Sequence, residues 1–302
     1  MSRNNRRMSY PTSTYWFLAL ATLLLASCSR PVANFVLPEE PAVIKPLTFE
    51  NQSEKAQRYL WQFGDGQTSE EASPTHHYYA SGEYTVRLTA YDEQGRTRTR
   101  ERHIRIHAPE KCLVLIETPY GNMVAEIFDS TPAHQDNFVK LIEQQYYDSL
   151  LFHRVINGFM LQGGDPNSRN APPDQNLGFG GPGYTLPAEF VDTLAHTKGA
   201  LAAARTENPQ KRSSGSQFYI VQGRPVTGDD LTRTEGQGGF RYPSSVRDRY
   251  LEVGGTPFLD QSYTVFGRII EGMEVIDRIA SVPTNSSNRP QEDVWMILRL
   301  IR

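Results

Sequence analysis

Arg154 and Gln162 are the two side chains whose types and spacing suggest chemistry, and they stand on either side of Asn157-Gly158. An Asn-Gly pair accepts the positive φ angles of a tight turn, so residues 152–165 predict a two-stranded hairpin. Side chains alternate along a strand, so His153 is expected to point away from Arg154 and to pack in the interior. The hairpin would set one guanidinium and one amide among large apolar side chains, unless it is an ordinary amphipathic hairpin whose arginine lies in solvent.

Further motifs before and after the hairpin follow one another in a recognisable order. They are Thr131-Pro132, Asn137-Phe138, residues 199–205, residues 215–220, Phe258-Leu259-Asp260 and residues 263–267. Together with the hairpin, this ordered set resembles the cyclophilin-type peptidyl-prolyl isomerases over residues 112–302. The resemblance implies an enzyme that rotates the peptide bond before proline.

In that resemblance Arg154 is the catalytic arginine, and Gln162 contacts the substrate backbone or steadies the arginine. The barrier to rotation is about 18–20 kcal/mol because the nitrogen lone pair is delocalised. A guanidinium that donates to the prolyl nitrogen localises the pair, and it does so best where water is excluded. No metal, cofactor or nucleophile is required, and neither the Cys-x-x-Cys nor the His-Glu-x-x-His motif occurs.

The resemblance also implies a pocket for the proline ring and an edge that binds the peptide backbone. The expected substrate-binding residues are Phe159, Met160, Ala204, Arg205, Gln217, Tyr219, Phe258, Leu259 and Tyr263. Three of them depart from the best-known eukaryotic members, which have tryptophan at Phe258, histidine at Tyr263 and asparagine at Arg205. We expect these changes to preserve activity and to weaken binding of the cyclic peptide cyclosporin.

Residues 223–255 form an insertion relative to the shorter family members. It holds glycines at 236, 238 and 239 that predict a flexible stretch, and then a predicted helix over residues 245–253. Ser245 and Asp248 have the spacing of a capping box. Because the insertion enters just before Phe258, we expect it to lie beside the pocket and to shape the choice of partner or substrate.

The elements that must position these residues are mostly strands. We expect a mainly β fold in which a sandwich precedes a closed antiparallel barrel capped by two helices. The first helix would begin at Thr131, as N-cap, with Pro132 in its first turn. Its buried face would carry Phe138, Leu141, Ile142 and Gln145. The glycine-rich residues 178–183 do not predict a phosphate site, since no helical pattern follows them.

The N-terminal segment predicts a targeting signal. Arg3, Arg6 and Arg7 precede an apolar run, and residues 25–28 read Leu-Ala-Ser-Cys. The last four residues resemble a bacterial lipobox, so residues 1–27 would be removed and Cys28 acylated. Ordinary secretion with a free Cys28 is the alternative. A proline-rich tether is predicted for residues 28–46.

Residues 47–108 show the two-residue period of a small antiparallel sandwich, which starts at 47 or near 34. Residues 61–66, Pro74, His76, Tyr78 and residues 82–86 resemble a PKD domain, an immunoglobulin-like module. Such a module implies a spacer or a contact to protein or glycan. His76 and His77 do not predict a metal site, because adjacent strand residues point to opposite faces.

Composition excludes several classes of protein. The chain has 302 residues, a formal net charge of −3 and 38% apolar residues, so neither a nucleic-acid partner nor a disordered protein is expected. Two cysteines cannot make a disulfide framework, and Cys112 predicts a small apolar strand residue. The expected location is the bacterial cell envelope, through a lipid anchor at Cys28. An envelope protein that binds proline segments, glycan or protein without catalysis is the rival interpretation.

Overall fold

The computed structural model describes residues 30–302, which fold as two β-rich units. The predicted signal peptide and Cys28 lie outside this part of the chain. The strands of the first unit are β1 (Phe35–Val36), β2 (Leu47–Thr48), β3 (Glu50–Asn51), β4 (Arg58–Gln62), β5 (Thr68–Ser69), β6 (Thr75–His76), β7 (Gly82–Tyr91) and β8 (Thr97–Ile106). Within residues 30–302 none of the helices has the length and apolarity needed to cross a bilayer.

The first unit has one core between its sheets. Strands β5, β4, β7 and β8 form one antiparallel sheet, while β1 pairs with β3 and β2 with β6. Trp61 lies fully buried in this core, and its indole donates to the Glu71 carbonyl oxygen at 3.0 Å. Phe35 packs edge-on against Trp61 with ring centroids 5.1 Å apart. Of the two starts considered for the sandwich, the one near 34 therefore fits, and the extended tether is shorter than residues 28–46.

His76 illustrates how a polar residue is accommodated in that core. Its ring stacks on Phe63 with centroids 4.0 Å apart, and Nε2 lies 2.7 Å from an Asp65 carboxylate oxygen. The histidine is therefore held by an aromatic ring on one side and a carboxylate on the other.

The second unit contains the remaining strands and all four helices of the described chain. Its strands are β9 (Cys112–Thr118), β10 (Gly121–Ile127), β11 (Leu150–Leu151), β12 (Arg154–Ile156), β13 (Met160–Gly163), β14 (Thr185–Leu186), β15 (Ala200–Ala203), β16 (Ser213–Ser214), β17 (Phe218–Val221), β18 (Val265–Glu271) and β19 (Trp295–Ile301). Its helices are α1 (Pro132–Glu143), α2 (Gly228–Gly238), α3 (Ser244–Val253) and α4 (Met273–Ala280). The predicted mainly β architecture with a partly helical insertion is confirmed.

Nine strands of this unit form one curled antiparallel sheet in the order β11, β19, β9, β10, β18, β15, β17, β13, β12. Its two edge strands do not pair with each other, so the predicted closed barrel is an overstatement. The chain instead runs directly from β11 into β12 through Phe152 and His153. The Phe152 amide donates to the Val294 carbonyl at 2.9 Å, which anchors the connection beside β19.

Helices α1 and α4 cover the openings of the curled sheet and bury apolar residues in its core. Phe138, Leu141 and Ile142 of α1 and Val275, Ile276 and Ile279 of α4 belong to that core. Gln145, predicted on the buried face of α1, lies beyond the helix end and is exposed. His134 takes a buried place on that face instead.

The start of α1 differs from the prediction. Thr131 occupies the N-cap position, but its hydroxyl donates to the Phe128 carbonyl and caps no helix amide. The carboxylate of Glu189, from a distant loop, accepts from the amides of Ala133 and His134, each at 3.0 Å. A full negative charge at a helix N-terminus also complements the helix dipole, so Glu189 takes the role assigned to Thr131.

The insertion is a pair of helices rather than a flexible stretch followed by one helix. Gly236 and Gly238 lie within α2, which Thr227 and Asp230 begin with a reciprocal capping box. Ser245 and Asp248 make no such box, because Pro243 is the N-cap of α3 and no side chain caps it. Buried Glu235 ties the pair together by accepting from the Tyr242 amide at 3.0 Å and pairing with Arg247 at 3.0 Å.

The insertion leaves and rejoins the second unit at one point. Residues 224 and 255 form an isolated antiparallel bridge. A Cβ added at Gly223 would lie 2.5 Å from the Gly255 Cα, and φ is positive at both glycines, 68° and 150°. Only glycine allows the two backbones to approach this closely.

The two units share an apolar contact. Leu113, Leu115, Val124 and Ile301, from strands of the curled sheet, join the same buried cluster as the core of the sandwich. The outer face of β9, β10 and β19 is thus covered by the first unit. The hairpin β12–β13 lies at the other end of the same sheet.

Candidate active site

The hairpin β12–β13 forms as predicted, with Arg154 directly opposite Gln162 in the antiparallel register. Gly158 takes a φ of 75° in the turn, and its amide donates to the Gln222 side chain at 2.6 Å. This register places the guanidinium and the amide side by side on one face of the sheet.

Arg154 is half-buried and lacks an acidic partner. Its Nη1 lies 3.4 Å from the Gln162 Oε1, a long hydrogen bond, and within residues 30–302 no carboxylate lies within ion-pair distance of it. Burial lowers the pKa of Arg154 from its usual value, opposed by the nearby Tyr263, but the group remains a cation at neutral pH. The guanidinium therefore has donors and positive charge available for a bound group.

A chain of amides fixes the orientation of Gln162. Its Nε2 donates to the Gln217 Oε1 at 3.1 Å, and the Gln217 Nε2 donates to the Gly180 carbonyl at 2.7 Å. Because the Gly180 carbonyl can only accept, each amide must turn its nitrogen towards the next member of the chain. The oxygen of Gln162 is thereby left facing Arg154.

An apolar hollow lies beside this polar pair. Met160, Ala204, Tyr219 and Leu259 are buried in one cluster, against which the partly buried Phe159 and Tyr263 pack. Phe258 is 59% exposed and stands at the rim, where its ring lies 5.8 Å from that of Phe159. A hollow of this kind, walled by aromatic rings and floored by a thioether, suits a small apolar ring.

The backbone edge of the hollow is at Arg205 rather than at Ala204. The Ala204 amide donates to the Gln217 carbonyl at 2.9 Å, and its carbonyl accepts from the Ser214 amide at 2.8 Å, so both groups are used within the protein. The Arg205 amide and carbonyl have no hydrogen-bond partner in the part of the chain described. The Arg205 side chain turns aside, with its guanidinium 4.6 Å from the centre of the Tyr263 ring.

Asp165 holds the glycine-rich loop next to the site. One of its carboxylate oxygens accepts from the amides of Gly178 and Phe179, at 2.5 and 3.1 Å. The loop borders a cavity of about 510 Å³ that continues the groove beyond Arg205 and Gln217. The groove is thus wide enough for residues that flank a proline.

His153 lies on the opposite face of the strand from Arg154, as alternation predicts. It is 4% exposed, and burial, opposed by Asp165, lowers the pKa of its imidazole to about 4. A histidine with that pKa is neutral at pH 7 and does not contribute a charge to the site.

The structure brings all the sequence-predicted site residues of this unit around one hollow, and it adds residues that sequence reasoning missed. The Nε2 of buried His196 lies 2.9 Å from the hydroxyl of Tyr219. Tyr242 and Tyr250, from the insertion, reach Asp260 just behind Phe258 and Leu259. Asp260 stands in a motif that the sequence singles out, but nothing in that motif indicates its partners.

Comparisons with known proteins match both units. A family model described as cyclophilin-type peptidyl-prolyl cis-trans isomerase/CLD matches residues 113–300, and a PKD domain model matches residues 28–106. A Staphylococcus aureus protein named as a peptidyl-prolyl cis-trans isomerase is 37% identical over 185 residues, 60% of this chain and 87% of that relative.

Two further matches differ in coverage. A Streptococcus pyogenes protein named as a bifunctional phosphatase/peptidyl-prolyl cis-trans isomerase is 39% identical over 189 residues; the match covers 60% of this chain but only 37% of that relative. A crystal structure of a cyclophilin-type isomerase from Cryptosporidium parvum aligns with a TM-score of 0.46 and 23% identity, over 63% of this chain and 97% of that one.

Proposed function

Because this chain belongs to the cyclophilin-type peptidyl-prolyl cis-trans isomerases, we propose that Arg154 catalyses rotation about Xaa-Pro bonds by donating a hydrogen bond to the prolyl nitrogen. The observation that carries this proposal is a half-buried guanidinium with no acidic partner beside an apolar hollow. As the bond twists, the nitrogen lone pair becomes localised and able to accept a hydrogen bond. A charged donor then stabilises the twisted state more than the planar one.

The energy required is within reach of this arrangement. Uncatalysed isomerisation takes tens to hundreds of seconds, so reaching milliseconds needs about 5 to 7 kcal/mol. A preorganised charged donor supplies about 3 kcal/mol in a site that excludes water, and positioning of the substrate supplies the remainder. No bond to the enzyme is made or broken.

Substrate binding would be weak and tolerant of sequence. The three methylenes of a proline ring contribute about 2.4 kcal/mol at roughly 0.8 kcal/mol each, whereas a millimolar complex needs about 4 kcal/mol. The free backbone amide and carbonyl of Arg205, together with Gln217, would supply the difference by pairing with the peptide backbone. Since these contacts read only the backbone and the ring, many proline segments would fit.

We further propose that the protein acts on exported polypeptides at the bacterial envelope. Residues 25–28 support a lipid anchor at Cys28, because they have the composition of a lipobox after an apolar run. The PKD unit would then stand between the membrane and the isomerase and hold the catalytic groove away from the lipid surface. It would also be free to contact protein or glycan.

The test is a proline-peptide isomerisation assay of residues 30–302. Wild-type protein should accelerate exchange, and Arg154→Ala should lower kcat/KM by about a hundredfold or more, as expected when a charged transition-state contact is lost. Arg249→Ala removes an exposed arginine that pairs with Glu252 and serves as the matched control.

Absence of acceleration by wild-type protein, or full activity in Arg154→Ala, would reject the catalytic role of Arg154. Peptide binding without turnover would favour the rival interpretation of a proline-binding envelope protein. Labelling of Cys28 by a fatty acid in cells, compared with Cys28→Ala, tests the anchor separately.

A further inference from the structure

Asp260 is a buried carboxylate that lies directly behind the proline hollow and follows Phe258 and Leu259 in the chain. One of its oxygens accepts from the backbone amide of His196 at 2.9 Å and lies 2.6 Å from the Nδ1 of the same residue. Its other oxygen accepts from the hydroxyls of Tyr242 and Tyr250, at 2.6 and 2.5 Å. Four donors from three segments of the chain therefore converge on one side chain.

This arrangement requires Asp260 to be ionised and both tyrosines to be protonated. A protonated carboxyl group would need an acceptor for its own hydrogen, yet every position around it is taken by a donor. Burial, followed by the charge of Asp260, raises the pKa of both tyrosine hydroxyls, so they remain donors at any physiological pH. Because the carboxylate is 8% exposed, water does little to replace a donor that is removed.

His196 passes this network on to the wall of the hollow. Its Nδ1 donates to Asp260, so in the neutral ring Nε2 is an acceptor, and the Tyr219 hydroxyl donates to it at 2.9 Å. Tyr219 is buried, and the edge of its ring meets the ring of Tyr263 with centroids 6.0 Å apart. The hydroxyl bond fixes the angle of a ring that the proline must contact.

The insertion also supports the rim of the hollow. The Tyr242 hydroxyl lies 3.4 Å from the Pro257 carbonyl, which opens the short turn carrying Phe258 and Leu259. Asp260 ends that turn. Both sides of the hollow, the Tyr219 wall and the Phe258 rim, are therefore tied to the same carboxylate.

We propose that Tyr242 and Tyr250 are positioning residues: through Asp260 and His196 they hold Tyr219 and the Phe258–Leu259 turn in the arrangement that binds proline. The inference rests on the proposed function of the hollow and specifies what the insertion does for it. The wall contacts the ring equally in the planar and the twisted peptide. Losing its fixed position should therefore weaken binding and leave the chemical step unchanged.

The experiment compares Tyr242→Phe, Tyr250→Phe and the double variant in residues 30–302. Each change removes one hydroxyl and keeps the ring. The Kd for a proline tetrapeptide is measured by NMR titration, and kcat and KM by exchange spectroscopy. We expect Kd and KM of the double variant to rise about 3- to 10-fold with kcat within about twofold of wild type. Tyr59→Phe, which removes a hydroxyl bond in the first unit, should change none of them.

A second pair of variants separates positioning from a general loosening of the insertion. Glu235→Gln weakens the bonds that join α2 to α3 without touching Asp260; it should lower Tm and leave Kd unchanged. Tyr219→Phe removes only the bond at the far end of the network and should raise Kd as the double variant does. Combined with Tyr250→Phe, its effect should be less than additive, because both act through one network.

Unchanged Kd and KM in a folded double variant would overturn the proposal. So would a Kd that rises as much in Glu235→Gln, or a loss confined to kcat. If wild-type protein binds the peptide but does not turn it over, the proposed catalysis fails while the Kd comparison still decides the role of the tyrosines.

Discussion

Replacing Gln162 by leucine and by glutamate tests whether Arg154 acts through its charge or only through its position. Leucine has nearly the volume of glutamine but removes the acceptor that lies 3.4 Å from Nη1. Glutamate keeps an acceptor at that place and adds a full negative charge. If Gln162 merely steadies the arginine, glutamate should do so better than glutamine. If the charge drives the reaction, glutamate should be the more harmful change.

The magnitudes follow from the geometry. A hydrogen bond to a charged group contributes about 1.5 to 3 kcal/mol, and the 3.4 Å separation puts this one at the lower end, so Gln162→Leu should lower kcat by about tenfold. Opposite charges about 4 Å apart attract by about 4 kcal/mol at an effective dielectric of 20. That attraction competes with the prolyl nitrogen for the guanidinium, so Gln162→Glu should lower kcat by more than tenfold.

The assay is exchange spectroscopy on a proline peptide at pH 7, which needs no coupled protease and gives kcat separately from binding. Gln222→Glu, which introduces the same charge at the Gly158 turn, controls for a general effect of an added carboxylate. Wild-type activity in Gln162→Glu together with a loss in Gln162→Leu would refute the electrostatic reasoning and leave Gln162 as a support only.

Two further expectations concern stability. A Cβ at Gly164 would lie 2.2 Å from the Ser216 carbonyl oxygen, so Gly164→Ala should destabilise the second unit by about 3 kcal/mol or more in chemical denaturation, whereas Gly158→Ala, with open space around it, should cost only the about 1 to 2 kcal/mol of its positive φ. Burial lowers the pKa of His153 to about 4, so an unfolded chain, whose histidine titrates near about 6.5, binds the extra proton first as the pH falls. The free energy of unfolding should therefore drop by about 2 kcal/mol from this residue between pH 7 and 5, and His153→Leu should remove that part of the slope; an unchanged slope would contradict a buried neutral imidazole.

Local patterns predicted the strands and the hairpin because their causes are local. Alternation in β7 and the Asn157-Gly158 turn are properties of neighbouring residues, and α4 begins and ends where the sequence predicts. The predicted closed barrel failed at the edge strands, where closure depends on whether two short strands reach each other. The N-cap of α1 failed for a similar reason, since its carboxylate comes from Glu189 in a distant loop.

The candidate site shows the same division. Motifs indicated Arg154, Gln162 and the residues of the hollow, while alternation indicated the orientation of His153. No motif marks His196, Tyr242 or Tyr250, because their role arises only when three separate segments meet at Asp260. The glycines of α2 were misread as flexible, since buried Glu235 and the capping box at Thr227 outweigh their low helix propensity.

The meeting of Gly223 and Gly255 makes the helical pair a cassette. A segment whose two ends already touch can be cut out and the gap closed by a single peptide link, without moving either neighbouring strand. Evolution, or a protein engineer, could exchange such a cassette for another of different length while the groove beneath keeps its frame. Accessory parts could then diversify around an unchanged reaction centre.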